Sequence, residues 1–192
     1  MIKPYIILEN AVEDPHIFVE WAKNLTYFSS SEKHIAGIKI DPTQQFDKWR
    51  GHRSKSLHEL DIDIFNNIFD NIFPRLFVNY NCDFNYNISA YVHFSPGYID
   101  YDDHWWHIDP AVVFAGVIYL NRNPDPLSGT ILNLNNNNFV IENVYNRLVM
   151  YDSQILHRPQ SCFGDTIDNS RMTLTFFVNS LNIQFKPKYE HS

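Results

Sequence analysis

The chain has 192 residues, of which 44% are hydrophobic, 16% aromatic and 19% charged, and its formal net charge is −7. This composition excludes a disordered chain, fits one domain over residues 1–192, and argues against nucleic-acid binding, which needs several Lys or Arg side chains on the phosphates. Two cysteines, Cys82 and Cys162, make no disulfide framework, and no apolar run suits a signal peptide or a membrane span, so we expect a cytoplasmic protein without a membrane partner.

Two helices are predicted in the first 75 residues. The first covers Asp14 to Leu25, with an aspartate as N-cap, Pro15 at the first helical position and apolar side chains on one face. The second covers Leu60 to Phe73, with apolar residues at helical spacing, and Pro74 is predicted to end it. We expect both helices to cover one sheet, so residues 1–75 form a helical support region.

A basic cluster, Trp49 to Lys55, lies between the two predicted helices. It concentrates positive charge beside an aromatic residue, which suits an anionic substrate or a phosphate. A solvated loop that balances nearby acids explains the same residues, and we favour that interpretation.

From about Leu76 onward the pattern changes to short strand-like segments separated by turns rich in Asn, Pro and Gly. This pattern predicts a mainly β fold, with an eight-stranded double-sheet roll over residues 76–182. The polar piece Asn133 to Asn138 predicts a loop at one end of the roll. The clearest strand-like segments are 89–94, 112–121, 147–151 and 170–178.

A set of metal ligands is distributed over these segments. His107 and Asp109 are two residues apart, so a strand would direct both to one face, and His157 follows 157 − 107 = 50 residues later. Two imidazoles and one carboxylate suit Fe(II) with coordination positions left open, and zinc would also accept them. A competing zinc site from His104 and His107 needs a helix, whereas the neighbouring aromatic and β-branched residues favour a strand.

The other histidines carry weaker signals. Tyr91 and His93 share one face of the segment 89–94, where they would contact co-substrate or substrate if that face lines a pocket, and packing roles explain them equally well. The remaining histidines have no partner pattern and are expected at the surface: His16, His34, His52, His58 and His191.

The chain from Asn87 to Ser180 resembles the double-stranded β-helix (jelly-roll, cupin-like) oxygenases that depend on Fe(II) and 2-oxoglutarate, particularly their prolyl-hydroxylase-like branch. The resemblance rests on His107-x-Asp109, Val117-Ile118-Tyr119-Leu120-Asn121, Gly129-Thr130, His157 and Arg171-x-Thr173-Leu174. It implies that His107, Asp109 and His157 bind iron. It also implies that Arg171 holds the distal carboxylate of 2-oxoglutarate, aided by Thr173, Tyr91 or Tyr119.

One departure concerns this arginine. Arg171 lies 171 − 157 = 14 residues after the last ligand, which is longer than expected for the family, so Arg158 is a rival. Because Arg158 adjoins a ligand, its side chain should point away from the metal face, and we favour Arg171.

The resemblance implies a dioxygenase that uses O2 to hydroxylate a peptidyl side chain or a small molecule, with release of succinate and CO2. Because halogenating relatives lack the carboxylate, Asp109 favours hydroxylation. We expect the pocket walls and lid from the segment 35–57 and from the aromatic residues Tyr98, Tyr101, Trp105 and Trp106. The alternative from a different class is a non-catalytic β-roll module that binds a metal or another ligand.

Overall fold

The computed structural model describes residues 4–29, 39–41, 49–78, 82–99 and 105–185. As predicted, the chain is mainly β. In the described residues the helices are α1 (Pro15–Lys23), α2 (Leu57–Leu60) and α3 (Ile62–Leu76). None of these helices has the length and apolarity needed to cross a membrane.

The described strands form two sheets. Their bounds are β1 (Tyr5–Leu8), β2 (Thr26–Ser29), β3 (Lys39–Asp41), β4 (His52–Ser54), β5 (Cys82–Ser95), β6 (Phe114–Tyr119), β7 (Thr130–Leu134), β8 (Asn137–Ile141), β9 (Leu148–Asp152), β10 (His157–Pro159) and β11 (Arg171–Phe185). The major sheet has the order β1-β9-β6-β11-β5-β4-β2-β3, and the minor sheet has the order β10-β7-β8. All pairs are antiparallel except β2 with β3. The two sheets form the predicted double-stranded β-helix.

Alternation along the strands divides the interior into two layers. On β11, Met172, Leu174 and Phe176 point to the helices and are buried in the larger core, together with Phe69 and Phe73 of α3. The opposite faces of β6 and β9 supply a second core between the sheets, from Ala115, Val117, Tyr119, Val149 and Tyr151. Because strand side chains alternate, the residues at 171, 173, 175 and 177 of β11 share this inner face. The inner face therefore carries the polar residues that were predicted to bind ligands.

The helices differ from the predictions at their ends. Asp14 precedes α1, yet its side chain accepts no capping hydrogen bond. The second predicted helix corresponds to α3, which begins at Ile62 because the Asp61 carboxylate caps it by accepting from the backbone N–H groups of Asp63 and Ile64. The short helix α2, which was not predicted, precedes it. Pro74 lies inside α3 instead of ending it. A proline two residues before the end removes one helical hydrogen bond, and burial of Phe73 offsets that loss.

Two other predictions are corrected by the strands. Residues 1–75 are not only a helical support region, because β1 to β4 belong to the major sheet. The piece Asn133 to Asn138 is a β-hairpin and not a loop, with β7 and β8 joined at Asn135 and Asn136. Both turn residues have positive φ, 53° and 64°, which asparagine tolerates better than most residues, and such turns match the twist of a hairpin.

Candidate metal centre

The structure brings the three predicted metal ligands together. One ligand atom from each of His107, Asp109 and His157 lies within 4.8 Å of the others. His157 opens β10, and His107 forms an isolated β-bridge with it, in which the backbone N–H of each donates to the carbonyl of the other at 3.2 and 3.0 Å. Asp109 follows in a loop and not in a strand, and its N–H donates to the carbonyl of Ser153 at 2.9 Å. Backbone pairing therefore fixes all three segments.

Hydrogen bonds set the tautomers of both histidines. His107 Nδ1 lies 3.0 Å from the carbonyl oxygen of Trp105, and His157 Nδ1 lies 2.9 Å from that of Ile155. A carbonyl oxygen only accepts, so each Nδ1 carries the proton and each Nε2 keeps its lone pair. Metal-bound histidines are oriented by such contacts on the other ring nitrogen.

The donor set fits a divalent cation. His157 Nε2 lies 3.3 Å from Asp109 Oδ2. With the tautomers above, two acceptor atoms face each other, and this arrangement needs a proton or a cation between them. Burial, and next the neighbouring His157, lower the pKa of His107, which favours the neutral imidazole that binds a metal. Burial also raises the pKa of Tyr151, whose ring centre lies 4.6 Å from that of His157, so this phenol stays protonated.

The ligands line a cavity of about 570 Å³ that also contains Arg171. Arg171 begins β11 and is 5% exposed. Its Nε donates to the carbonyl of Ser128 at 2.8 Å, and its guanidinium carbon lies 5.8 Å from the ring centre of Tyr119. A buried guanidinium in the same cavity as a metal site suits a ligand that carries a carboxylate.

Two of the other residues predicted to aid 2-oxoglutarate, Tyr119 and Thr173, lie near this arginine. Tyr119 and Thr173 are opposite each other on β6 and β11, and both are buried. The Tyr119 hydroxyl donates to Thr130 Oγ1 at 2.7 Å, and the hydroxyls of Thr173 and Thr175 are 3.4 Å apart. Thr130 and Thr175 line the cavity. Tyr119 and Thr173 therefore position the hydroxyls that form the cavity wall.

Tyr91 and His93 lie on the inner face of β5, as alternation predicts. His93 lines the cavity, and its Nε2 accepts a hydrogen bond from Arg53 Nε. Tyr91 is half-buried, and its ring centre lies 4.7 Å from the guanidinium carbon of Arg53. Burial, followed by the charges of Arg53 and Arg171, lowers the pKa of His93, so its ring stays neutral and accepts this bond. Both residues thus support an arginine that the sequence did not single out.

Arg158 also lines the cavity, which differs from the expectation that it points away from the metal face. Its Nη1 donates to the carbonyl of Pro159 at 3.3 Å, and its guanidinium carbon lies 5.2 Å from the ring centre of Trp106. Strand β10 has only three residues, and all three line the cavity. The position of Arg158 in the strand therefore does not exclude it as the alternative to Arg171 for binding the 2-oxoglutarate carboxylate.

The basic cluster is not a solvated loop. His52–Ser54 is strand β4, which lies between β5 and β2, and Arg53 lines the cavity together with Trp49 and Arg50. His52 is fully buried and not at the surface as predicted, and burial lowers its pKa to about 4. Its Nε2 is 3.0 Å from the Tyr98 hydroxyl.

The remaining predictions concern residues both inside and outside the described part of the chain. His16 and His58 are exposed as expected. Trp105 and Trp106 line the cavity as predicted. Four predicted residues lie outside the described residues: His34, Tyr101, His104 and His191. Residues 35–38 and 42–48 of the segment expected to form the pocket walls and lid lie outside them as well.

Several cavity residues were missed by the sequence analysis. Thr175 and Phe177 follow from Arg171 at intervals of two, so alternation along β11 carried enough signal to find them. Tyr151 lies six residues before His157, beyond a turn, where alternation no longer applies. Arg53 reaches the cavity through the pairing of β4 with β5, which has no local pattern.

No protein-family model matches the chain, and no curated protein does. Solved structures do resemble it. An oxidoreductase of the 2OG-Fe(II) oxygenase family from Burkholderia pseudomallei has a TM-score of 0.60 at 14% identity, over 91% of this chain and 84% of that one. A prolyl hydroxylase in complex with a hypoxia inducible factor oxygen degradation domain peptide fragment from Trichoplax adhaerens has a TM-score of 0.57 at 15% identity, over 91% and 83%. The non-heme alpha ketoglutarate dependent carbocyclase SnoK from nogalamycin biosynthesis has a TM-score of 0.54 at 9% identity, over 97% and 83%. At these identities the likeness establishes the fold.

Proposed function

We propose that the chain is an Fe(II)- and 2-oxoglutarate-dependent dioxygenase that hydroxylates a peptidyl side chain or a small molecule. One observation carries the proposal: His107, Asp109 and His157 converge within 4.8 Å in a cavity that also contains the buried Arg171. The first group suits a metal with open positions, and the second suits the far carboxylate of a dicarboxylic acid. The similarity in fold to 2OG-Fe(II) oxygenases supports the same function.

The ligand residues have defined tasks in this proposal. His107 and His157 hold Fe(II) through Nε2, while the carbonyls of Trp105 and Ile155 hold the Nδ1 protons and fix the ring planes. Asp109 supplies the charge that balances the cation. When bound, Fe(II) with 2-oxoglutarate and O2 supplies an oxidative decarboxylation that gives succinate and CO2 and hydroxylates a substrate C–H bond.

Other side chains orient the co-substrate and exclude water. Arg171 binds the distal carboxylate, and its Nε is held by the Ser128 carbonyl so that the guanidinium keeps one orientation. Thr175 and Thr130 present hydroxyls at the wall, with Tyr119 hydrogen-bonded to Thr130. Apolar side chains such as Val117 and Phe177 line the same cavity and reduce its water content.

The test of this function is production of succinate. Purified protein with Fe(II), 2-oxoglutarate and O2 should convert 2-oxoglutarate to succinate even without a primary substrate, and Asp109→Ala should abolish both succinate formation and iron binding. Asp63→Ala, an exposed change on α3, is the matched control and should behave as the unmodified chain. Bound iron without succinate above the metal-free background would contradict the dioxygenase proposal and favour the non-catalytic β-roll.

A further inference from the structure

Positive charge is concentrated in the wall of the cavity. Among the described residues that line it, Arg50, Arg53, Arg158 and Arg171 are arginines, while Asp109 is the one carboxylate. The chain as a whole has a net charge of −7, so this distribution runs against its composition. In the proposed function Asp109 is a metal ligand and Arg171 holds 2-oxoglutarate. Three arginines therefore line the part of the cavity that remains for a primary substrate.

Each of these three arginines lies over a tryptophan that also lines the cavity. The guanidinium carbon to ring-centre distance is 4.1 Å for Arg53 over Trp49, 4.6 Å for Arg50 over Trp105 and 5.2 Å for Arg158 over Trp106. These rings are three of the four tryptophans in the chain. The attraction between a cation and a π face helps to hold each guanidinium in the cavity wall.

Arg53 is the most strongly positioned of the three. Its guanidinium also faces the rings of Tyr91 at 4.7 Å and Phe177 at 5.8 Å, and its Nε donates to His93 Nε2. It lies on β4 between two buried residues, His52 and Ser54, so its backbone is part of the sheet.

A glycine permits the approach of this segment to the cavity. Gly51 has φ +84°, and a Cβ there would lie 2.8 Å from the carbonyl oxygen of Phe94. The turn lets Arg50 and Arg53, on either side of it, line the same cavity.

We propose that the primary substrate is an anion, with a carboxylate or phosphate group that binds Arg53 and is flanked by Arg50 and Arg158. The planar fork of a guanidinium matches both groups through two parallel hydrogen bonds, and the surrounding aromatic rings suit an apolar or planar body attached to the anion. This inference rests on the proposed function, because it assigns the substrate side of the same cavity.

The test compares probes of one shape and different charge. Protein loaded with Mn(II) and 2-oxoglutarate is titrated with benzoate, phenyl phosphate and the neutral benzamide, and binding is followed by tryptophan fluorescence, because Trp49, Trp105 and Trp106 line the cavity. At least one anion should bind about 10-fold or more tightly than benzamide, as expected for a charge-assisted hydrogen-bonded pair. The better anion identifies carboxylate or phosphate as the recognised group.

Variants assign the preference to residues. Arg53→Gln should remove most of the preference for the anion, and Arg53→Lys should keep part of it. Arg50→Gln lies outside β4 and should reduce the preference, so it tests the proposal even if the Arg53 variants do not fold. Arg122→Gln, an exposed change outside the cavity, should leave it unaltered. Equal affinities for benzoate, phenyl phosphate and benzamide, including no binding by any of them, would overturn the proposal, as would an unchanged preference in Arg53→Gln.

Failure of the proposed function is recognised separately. Binding of 2-oxoglutarate to the Fe(II) protein is followed by its visible charge-transfer band without O2, and Arg53→Gln should leave that affinity unchanged. Absence of the charge-transfer band in the unmodified chain would reject the proposed dioxygenase function. The preference for an anion over benzamide can still be measured in that case with Mn(II) alone. A loss of 2-oxoglutarate affinity in Arg53→Gln would place Arg53 in the co-substrate site and overturn the substrate proposal.

Discussion

Replacing Arg171 with alanine should weaken the binding of 2-oxoglutarate and leave iron bound. The Arg171 side chain is only 5% exposed, so water screens little of its attraction to a carboxylate. Its Nε is used by the Ser128 carbonyl at 2.8 Å, which leaves the two terminal nitrogens to hold the co-substrate. Removing one partner of a buried, hydrogen-bonded charge pair costs about 2–5 kcal/mol, or roughly 30-fold to several-thousand-fold in affinity.

The assay is an anaerobic titration of the Fe(II) protein with 2-oxoglutarate, followed by its charge-transfer band, with iron content measured on the same sample. Arg171→Lys separates charge from geometry, because lysine keeps the charge and lacks the two-pronged fork, and its affinity should lie between those of alanine and arginine. Both variants remove the donor of the buried Ser128 carbonyl, so thermal unfolding must first show that each is folded.

Arg158→Ala is the matched control, since Arg158 lines the same cavity and packs on Trp106. It should change the affinity for 2-oxoglutarate much less than Arg171→Ala does. The reverse ranking would refute the assignment and give the co-substrate carboxylate to Arg158.

Three further predictions concern the metal, the pH dependence and the core. Fe(II) at 100 times its dissociation constant adds about 2.7 kcal/mol to the unfolding free energy, so anaerobic scanning fluorimetry should show Tm rising by about 5–11 °C, and not at all in Asp109→Ala. Burial lowers the pKa of His52 from 6.5 to about 4, so the unfolded chain binds this proton first as the pH falls. Denaturant titrations should therefore show about 3 kcal/mol lost between pH 6.5 and 4, and a pH dependence equally steep in His52→Gln would disprove the cause. Phe69→Ala empties a fully buried position against Phe176 and should cost about 3–5 kcal/mol, whereas the exposed Asn66→Ala should cost less than about 0.5, and similar losses would contradict the packing of α3 on the sheet.

Local patterns predicted the elements in which one face is buried. Strands β6 and β9 are short apolar runs that are buried on both faces, and the first half of β11 alternates polar and apolar residues; all three were predicted near their observed positions, as was α1 with its apolar stripe. Strand β4 has three polar or basic residues, and β2 has two aromatic residues between Thr26 and Ser29, so neither shows a long apolar run or a period of two. Only pairing with neighbouring strands makes these segments β, and that pairing involves residues far apart in the chain.

The same distinction applies to the candidate site. His107, Asp109 and His157 were recognised from residue types and spacing, because few side chains bind metals. Arg53 was not recognised as a cavity residue, since it lies beside His93 on a neighbouring strand that is forty residues away in sequence. The charge of the Trp49 to Lys55 cluster was visible in the sequence, but its burial depends on the turn at Gly51 and the pairing of β4.

The backbone bridge between His107 and His157 connects the metal to the substrate side of the cavity. It is an isolated pair of hydrogen bonds at the edge of the minor sheet, so it should open more easily than the long pairing of β5 with β11. A metal bound by both side chains would link the two segments a second time and should slow amide hydrogen exchange at residues 105–109, His157 and Arg158. Those segments also carry Trp105, Trp106 and Arg158, so metal binding should order part of the anion-binding wall before a substrate enters. Equal exchange in these segments with and without Fe(II), measured by mass spectrometry with the β5–β11 pair as internal reference, would contradict this coupling.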